Sequence, residues 1–164
     1  MDRGQHEEGR LTPVTENQSE GLARRNLLKV NDPFAQEDYA NTFYAEIGGH
    51  EAFVKLVDVF YDGVAEDPVL RPMYPEEDLG PARRRLTMFL EQYWGGPGTY
   101  SEERGHPRLR MRHVPFKVNP EARDRWLHHM RAGVDALHLA PLHEATLWDY
   151  LERAAHSLVN TFED

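Results

Sequence analysis

From Thr42 to the C-terminus the apolar residues recur at three- and four-residue spacing, and no segment alternates apolar with polar for long, so the chain is confined to an all-α fold. After a short turn carrying Phe43, Tyr44 and Ile47, Gly48-Gly49 permits a sharp bend, and the next helix places Phe53, Leu56, Val57, Phe60 and Val64 on one stripe. It stops near Asp67-Pro68. Pro68, Pro72 and Pro75 then confine residues 69–74 to a single helical turn, because proline removes a donor and restricts the residue before it. Asp78 can accept from the first amides of a further helix, with Pro81 in its first turn and Ala82, Leu86, Phe89, Leu90 and Tyr93 at helical spacing. Gly95-Gly96-Pro97-Gly98 ends that helix. The stretch to Phe116 is broken by Gly98, Gly105, Pro107 and Pro115, which leaves one short helix around Leu109–His113. Asn119-Pro120 supplies a cap and a first-turn proline for a helix with Trp126, Met130, Val134 and Leu137 inward. Leu139-Ala140-Pro141 breaks it, and the last helix shows Leu142, Ala145, Trp148, Leu151, Ala155, Leu158, Val159 and Phe162. The expectation is one domain of about five helices over residues 42–164.

Residues 1–41 differ in kind. They hold polar and charged residues in no sustained period, with Phe34 and Tyr39 as their only aromatics, so they are expected to form a polar, disordered extension, with a short helix at most over residues 20–30. Across the 164 residues there is no cysteine, which excludes disulfides, cysteine-ligated zinc, iron–sulfur clusters and a thiol nucleophile. No apolar run approaches the roughly 20 residues of a membrane span, and the first residues do not lead into an apolar signal core. A cytoplasmic protein is expected. The formal charge of -9, from 19 Lys+Arg against 28 Asp+Glu, disfavours a broad nucleic-acid surface.

Nine histidines raise the question of a metal, yet no His-Glu-x-x-His occurs, and His128-His129 point in two directions on a helix. His138 and His143 flank a proline turn and read as surface residues. His113 is different, because it ends the short loop helix beside Arg112 and precedes Val114-Pro115-Phe116, where an imidazole can face an apolar interior. From spacing alone it is either a ligand or a histidine with ordinary hydrogen bonds. Ser101 and Ser157 lie in no nucleophile elbow, and the glycine run matches neither phosphate-loop pattern. Arg83-Arg84-Arg85 occupies the first turns of a helix, where the macrodipole disfavours cations, while Arg104, Arg108, Arg110 and Arg112 crowd the loop. Either a small anionic ligand offsets this charge, or the arginines pair with Glu91, Glu102 and Glu103 on a solvated face. Tyr61, Tyr74 and Trp126 carry donors on apolar bodies, and buried donors need partners.

Several phrases in order go further: Phe60-Tyr61, Tyr74-Pro75-Glu76, Met88-Phe89-Leu90-Glu91-Gln92-Tyr93-Trp94-Gly95-Gly96-Pro97, Gly105-His106-Pro107-Arg108-Leu109-Arg110-Met111-Arg112-His113 and Ala155-His156-Ser157-Leu158-Val159-Asn160. From Thr42 onward the chain resembles the group II truncated haemoglobins of actinobacterial type. The resemblance implies a globin-like, two-over-two helical sandwich around haem b, with the proximal helix reduced to a turn in an extended loop. It implies His113 as the iron's ligand, and a distal pocket of Tyr61, Tyr74, Trp126, Ala82 and Leu86. Ala82 falls where longer globins have a distal histidine. Arg85 and Arg112 are implied as propionate partners, with Arg110, Tyr100, Phe89 and Met111 as further haem contacts. The 41-residue extension departs from the compact pattern of that family.

The function expected from this resemblance is reversible binding of O2, with CO and NO as other diatomic ligands, in oxygen binding, transport or storage, by a monomer or homodimer. Two alternatives use the same haem: a redox enzyme acting on NO or peroxide with the help of an unidentified reductase, and a gas or redox sensor.

Overall fold

A computed structural model describes residues 39–164, and these form α-helices and short turns with no strand among them. The elements are α1 (Phe43–Glu46), α2 (Gly49–Ala65), a 3-10 turn (Arg71–Met73), α3 (Gly80–Tyr93), α4 (Thr99–Arg104), α5 (Leu109–His113), α6 (Pro120–Asp135) and α7 (Pro141–Ser157). The expected helix over residues 20–30, and nearly all of the extension, lie outside the described residues. Tyr39, N-terminal to the expected boundary, is buried and packs edge-on to Tyr44 with ring centroids 5.7 Å apart.

Local signals placed the helix ends. Gly48 and Gly49 both adopt positive φ, 120° and 65°, and so turn the chain into α2. Asn119 Oδ1 accepts from the Ala122 amide at 2.9 Å, with Pro120 as the first residue of α6. Asp78 Oδ1 accepts from the Gly80 amide at 2.8 Å at the start of α3. The helices form the expected two-over-two sandwich: α2 pairs with α3, α6 pairs with α7, and the layers meet where α2 crosses α6. Two glycines set the distance of that crossing. A Cβ on Gly133 of α6 would meet the Leu56 carbonyl oxygen of α2 at 2.7 Å, and a Cβ on Gly63 of α2 would meet the His129 ring of α6 at 2.2 Å. Phe53, Leu56, Val57, Phe60 and Val64 are fully buried here with Met130 and Leu147.

Three expectations need correction. The loop after α3 carries a second helix, α4, because Gln92 clasps Ser101 through two bonds, Nε2 to Oγ at 2.8 Å and the Ser101 amide to Oε1 at 2.9 Å, while Tyr100 is buried. The inner face of α7 differs in part from the expected stripe: Leu151 and Ala155 are buried as expected and Leu147 joins them, whereas Leu142 and Ala145 are exposed, and the helix ends at Ser157, so Phe162 lies beyond it in solvent. Tyr93 is half-exposed and stacks on Tyr150 at 3.9 Å instead of entering the core.

Candidate functional site

A cavity of about 570 Å³ lies within the sandwich, bounded by α2, α3, α6 and α7 and closed by α4, α5 and the residues that follow α5. Its volume falls in the range of small-molecule and cofactor sites, and most of its wall is apolar.

His113 reaches this cavity from α5. A five-residue helix is far too short to hold itself in water, so α5 depends on side chains for support. Arg112 gives it: Nε donates to the Pro107 carbonyl at 2.7 Å, and Nη2 donates to the carbonyls of Arg104 at 2.8 Å and His106 at 3.3 Å. His113 Nδ1 donates to the Leu109 carbonyl at 2.6 Å. A carbonyl only accepts, so Nδ1 carries a proton, and in the neutral ring Nε2 holds the lone pair. Among the described residues, His113 is the one histidine lining the cavity, and no three His, Cys, Asp or Glu groups converge to hold an ion. The haem implied by the family resemblance would bring its other ligands with it.

Three polar-tipped aromatics line the same space: Tyr61 from α2, Tyr74 from the corner before α3, and Trp126 from α6. Phe60 braces two of them edge-on, Tyr61 at 4.9 Å and Trp126 at 5.4 Å, and Tyr61 meets Tyr74 at 5.6 Å with the rings 79° apart. Burial raises both phenols well above their ordinary range, and the Tyr74 hydroxyl, by its charge and by hydrogen bonding, adds to the rise at Tyr61. Both remain protonated donors at neutral pH. Ala82 and Leu86 supply small and apolar wall positions, with Phe89 and Tyr100 beside them.

The corner that carries Tyr74 is held by two charged residues that sequence reasoning did not single out. Arg71 donates to the carbonyls of Tyr74 at 3.0 Å and of Glu76 and Glu77 at 2.9 Å. Asp67 is buried, caps the amides of Val69 and Leu70, and crosses to α6, where it accepts from Arg125 Nη1 at 3.2 Å and His129 Nε2 at 2.7 Å. Burial alone would raise the Asp67 carboxyl. The His129 ring, the two amides and Arg125 outweigh it and bring the pKa to about 2. Asp67 thus joins the corner bearing Tyr74 to the helix bearing Trp126. The signal for it was Asp67-Pro68 with the Val69 and Leu70 amides free to be capped, but its long-range partners had no trace in local sequence.

The arginines separate into distinct roles. Arg83 pairs with Asp58 and Asp62, and Arg84 with Glu103. Of the acidic partners expected from sequence only Glu103 takes part: Glu91 is buried and holds His50 Nδ1 at 3.1 Å. Arg85 lines the cavity and contacts Glu76 at 3.2 Å, so an entering carboxylate would share it. Arg112 also lines the cavity, although its Nε and Nη2 are committed to backbone carbonyls. Arg110 and Met111 are exposed and lie outside the cavity wall, because the turn of α5 that directs His113 inward directs its neighbours to solvent. Tyr150 was missed; it lines the cavity, and burial followed by its neighbour Tyr93 pushes its hydroxyl up to about 12. Away from the cavity, His128 and His138 are exposed, and His143 packs edge-on to Phe43.

A family model described as bacterial-like globin matches residues 42–160. The chain is 43% identical over 115 residues to a group 2 truncated hemoglobin of Bacillus subtilis, spanning 70% of this chain and 86% of that one. Among solved structures, a thermostable hemoglobin from the actinobacterium Thermobifida fusca is 64% identical, covers 74% of this chain and 99% of its own, and superposes with a TM-score of 0.73. A truncated oxygen-avid haemoglobin from Bacillus subtilis is 42% identical, with 73% and 100% covered and a TM-score of 0.69.

Proposed function

Because the chain belongs to the bacterial-like globin family, we propose that its cavity holds haem b on His113 and that the protein reversibly binds O2, with CO and NO as further diatomic ligands. The observation that carries this reading is the hydrogen bond from His113 Nδ1 to the Leu109 carbonyl at 2.6 Å, which leaves Nε2 as the ring nitrogen available to iron in a ring that lines the cavity. A haem held there supplies the ferrous iron that diatomic gases bind. The protein supplies the rest. Leu109 holds the imidazole in one tautomer and raises its basicity. The apolar wall excludes water, and Arg85 offers one propionate a charged partner at the cavity edge. Tyr61, Tyr74 and Trp126 are donors that can meet a ligand whose outer atom gains negative charge, and Ala82 leaves room for it. The similarity to an oxygen-avid truncated haemoglobin of Bacillus subtilis supports O2 as the ligand. A cytoplasmic setting and a domain of residues 42–164 belong to the same proposal.

Absorption spectra of the full chain in ferric, ferrous, oxy and carbonyl forms test it. His113→Ala is expected to abolish stable haem retention or the five-coordinate ferrous spectrum, with recovery on adding free imidazole. An unchanged spectrum in that variant would refute the assignment of His113. Catalytic turnover with NO or peroxide would favour the enzymatic reading instead.

A further inference from the structure

The loop that follows His113 has few backbone bonds of its own. Within residues 113–118 the Phe116 amide reaches the His113 carbonyl at 2.9 Å, the Val114 amide reaches back to Met111 at 3.3 Å, and Pro115 has no N–H to give. Upstream, α5 is secured by Arg112. Downstream, the loop is spanned by one side chain from the irregular segment after α7. Asn160 Nδ2 donates to the carbonyls of His113 at 3.2 Å and Phe116 at 2.9 Å, and its Oδ1 accepts from the Val118 amide at 2.9 Å. Its own backbone N–H donates to the Val118 carbonyl at 2.9 Å, and Asn119 Nδ2 donates to the Glu163 carbonyl at 3.0 Å, so the C-terminal segment runs alongside residues 117–119.

The chemistry of this contact is selective. Two carbonyls need a donor and one amide needs an acceptor, and only a side-chain amide in this orientation satisfies all three. Aspartate keeps the acceptor but turns an anionic oxygen toward two carbonyl dipoles, and serine is too short to span the loop. None of these bonds is required to bury apolar surface, since Asn160 is exposed. Their common effect is to hold the peptide units on either side of Pro115 in one orientation relative to the end of α5.

We propose that Asn160 is a positioning residue for His113: by tying the His113 and Phe116 carbonyls to the C-terminal segment, it holds the direction in which Nε2 meets the haem iron. The inference rests on the reading of His113 as the ligand. It makes the last residues of the chain a part of the proximal side of the site, although only Leu158 among residues 158–164 lines the cavity.

The test uses the full chain loaded with haem and the variant Asn160→Asp, with Asn160→Ser measured beside it should the first fail to fold. Hydrogen exchange at the Phe116 amide, which closes the turn spanned by the two lost Nδ2 bonds, should quicken by about three- to tenfold, the range for losing surface hydrogen bonds of modest net strength, while the Val118 amide keeps its acceptor and changes less. In the ferrous protein the iron–histidine vibrational band should shift and broaden, while the carbonyl stretch of the CO form, which reports the other face, stays in place. Exchange that quickens with an unmoved iron–histidine band would reduce Asn160 to a loop tether and overturn the proposal, as would unchanged exchange. A band that His113→Ala abolishes and Asn160→Asp leaves alone defeats the positioning role only. A ferrous spectrum that survives His113→Ala defeats the reading of the ligand itself.

Discussion

Replacing Asp67 by asparagine tests how the two walls of the cavity are joined. The carboxylate is 6% exposed, accepts from two amides of its own corner and from two side chains of α6, and titrates at about 2 against an ordinary value of 3.8. Asparagine retains Oδ1 for the amides of Val69 and Leu70, so the corner keeps its cap. It loses the charge facing Arg125 and turns an N–H toward His129 Nε2, and the ring cannot slide away because its other side lies over Gly63. A depression from 3.8 to about 2 corresponds to roughly 2.4 kcal/mol, which solvent around Arg125 reduces to about 1–2 kcal/mol. The sign follows from the folded pKa lying below the unfolded one. The contribution is complete above about pH 4 and is lost as the pH falls through the folded value, so about half remains near pH 3. Urea denaturation of both proteins between pH 7 and pH 3 measures it, with equal slopes showing that the same surface is exposed. A gap that does not shrink below pH 4, or one under about 0.3 kcal/mol at pH 7, would refute the argument.

Gly133→Ala should lower stability by about 1–3 kcal/mol in the same assay despite the better helix propensity of alanine, because the new methyl meets the Leu56 carbonyl at 2.7 Å and backbone cannot yield. A stabilised variant would mean that the helix crossing is looser than described. Trp126→Phe, which removes a donor and preserves most of the ring, should speed O2 release by about ten- to a hundredfold and CO release far less, since O2 draws more charge from ferrous iron. Stopped-flow ligand replacement reads both rates, and equal acceleration would indicate steric gating. Deleting residues 1–38 should leave the haem spectra and O2 affinity unchanged, because their polar composition cannot form a core and the described residues that line the cavity fall between Tyr61 and Leu158; loss of haem from a folded truncated chain would contradict this.

The sequence by itself determined the features that short-range physics controls. The α2 stripe, the Asn119-Pro120 start of α6, the Gly48-Gly49 bend and the proline-confined corner were legible because each depends on side-chain periodicity or on the backbone limits of residues a few positions apart. Motif order carried the family resemblance, and with it His113, Tyr61, Tyr74 and Trp126 as companions at one site. What tertiary structure decided was every matter in which two local answers had similar energy. The apolar residues of α7 admit two helical phases, and only the neighbours at hand buried Leu147 and left Leu142 in water. Helix α4 depends on Gln92 and a buried Tyr100, not on its own six residues. The arginine cluster could serve an anion or acidic neighbours, and distance divided it among Asp58, Asp62, Glu103, Glu76 and the carbonyls of the loop. Asp67 meets His129 across 62 positions of chain, and Asn160 meets His113 across 47. Hydrogen bonds of that span leave no periodicity to read, because the chain between them, and not the residues themselves, brings the partners together.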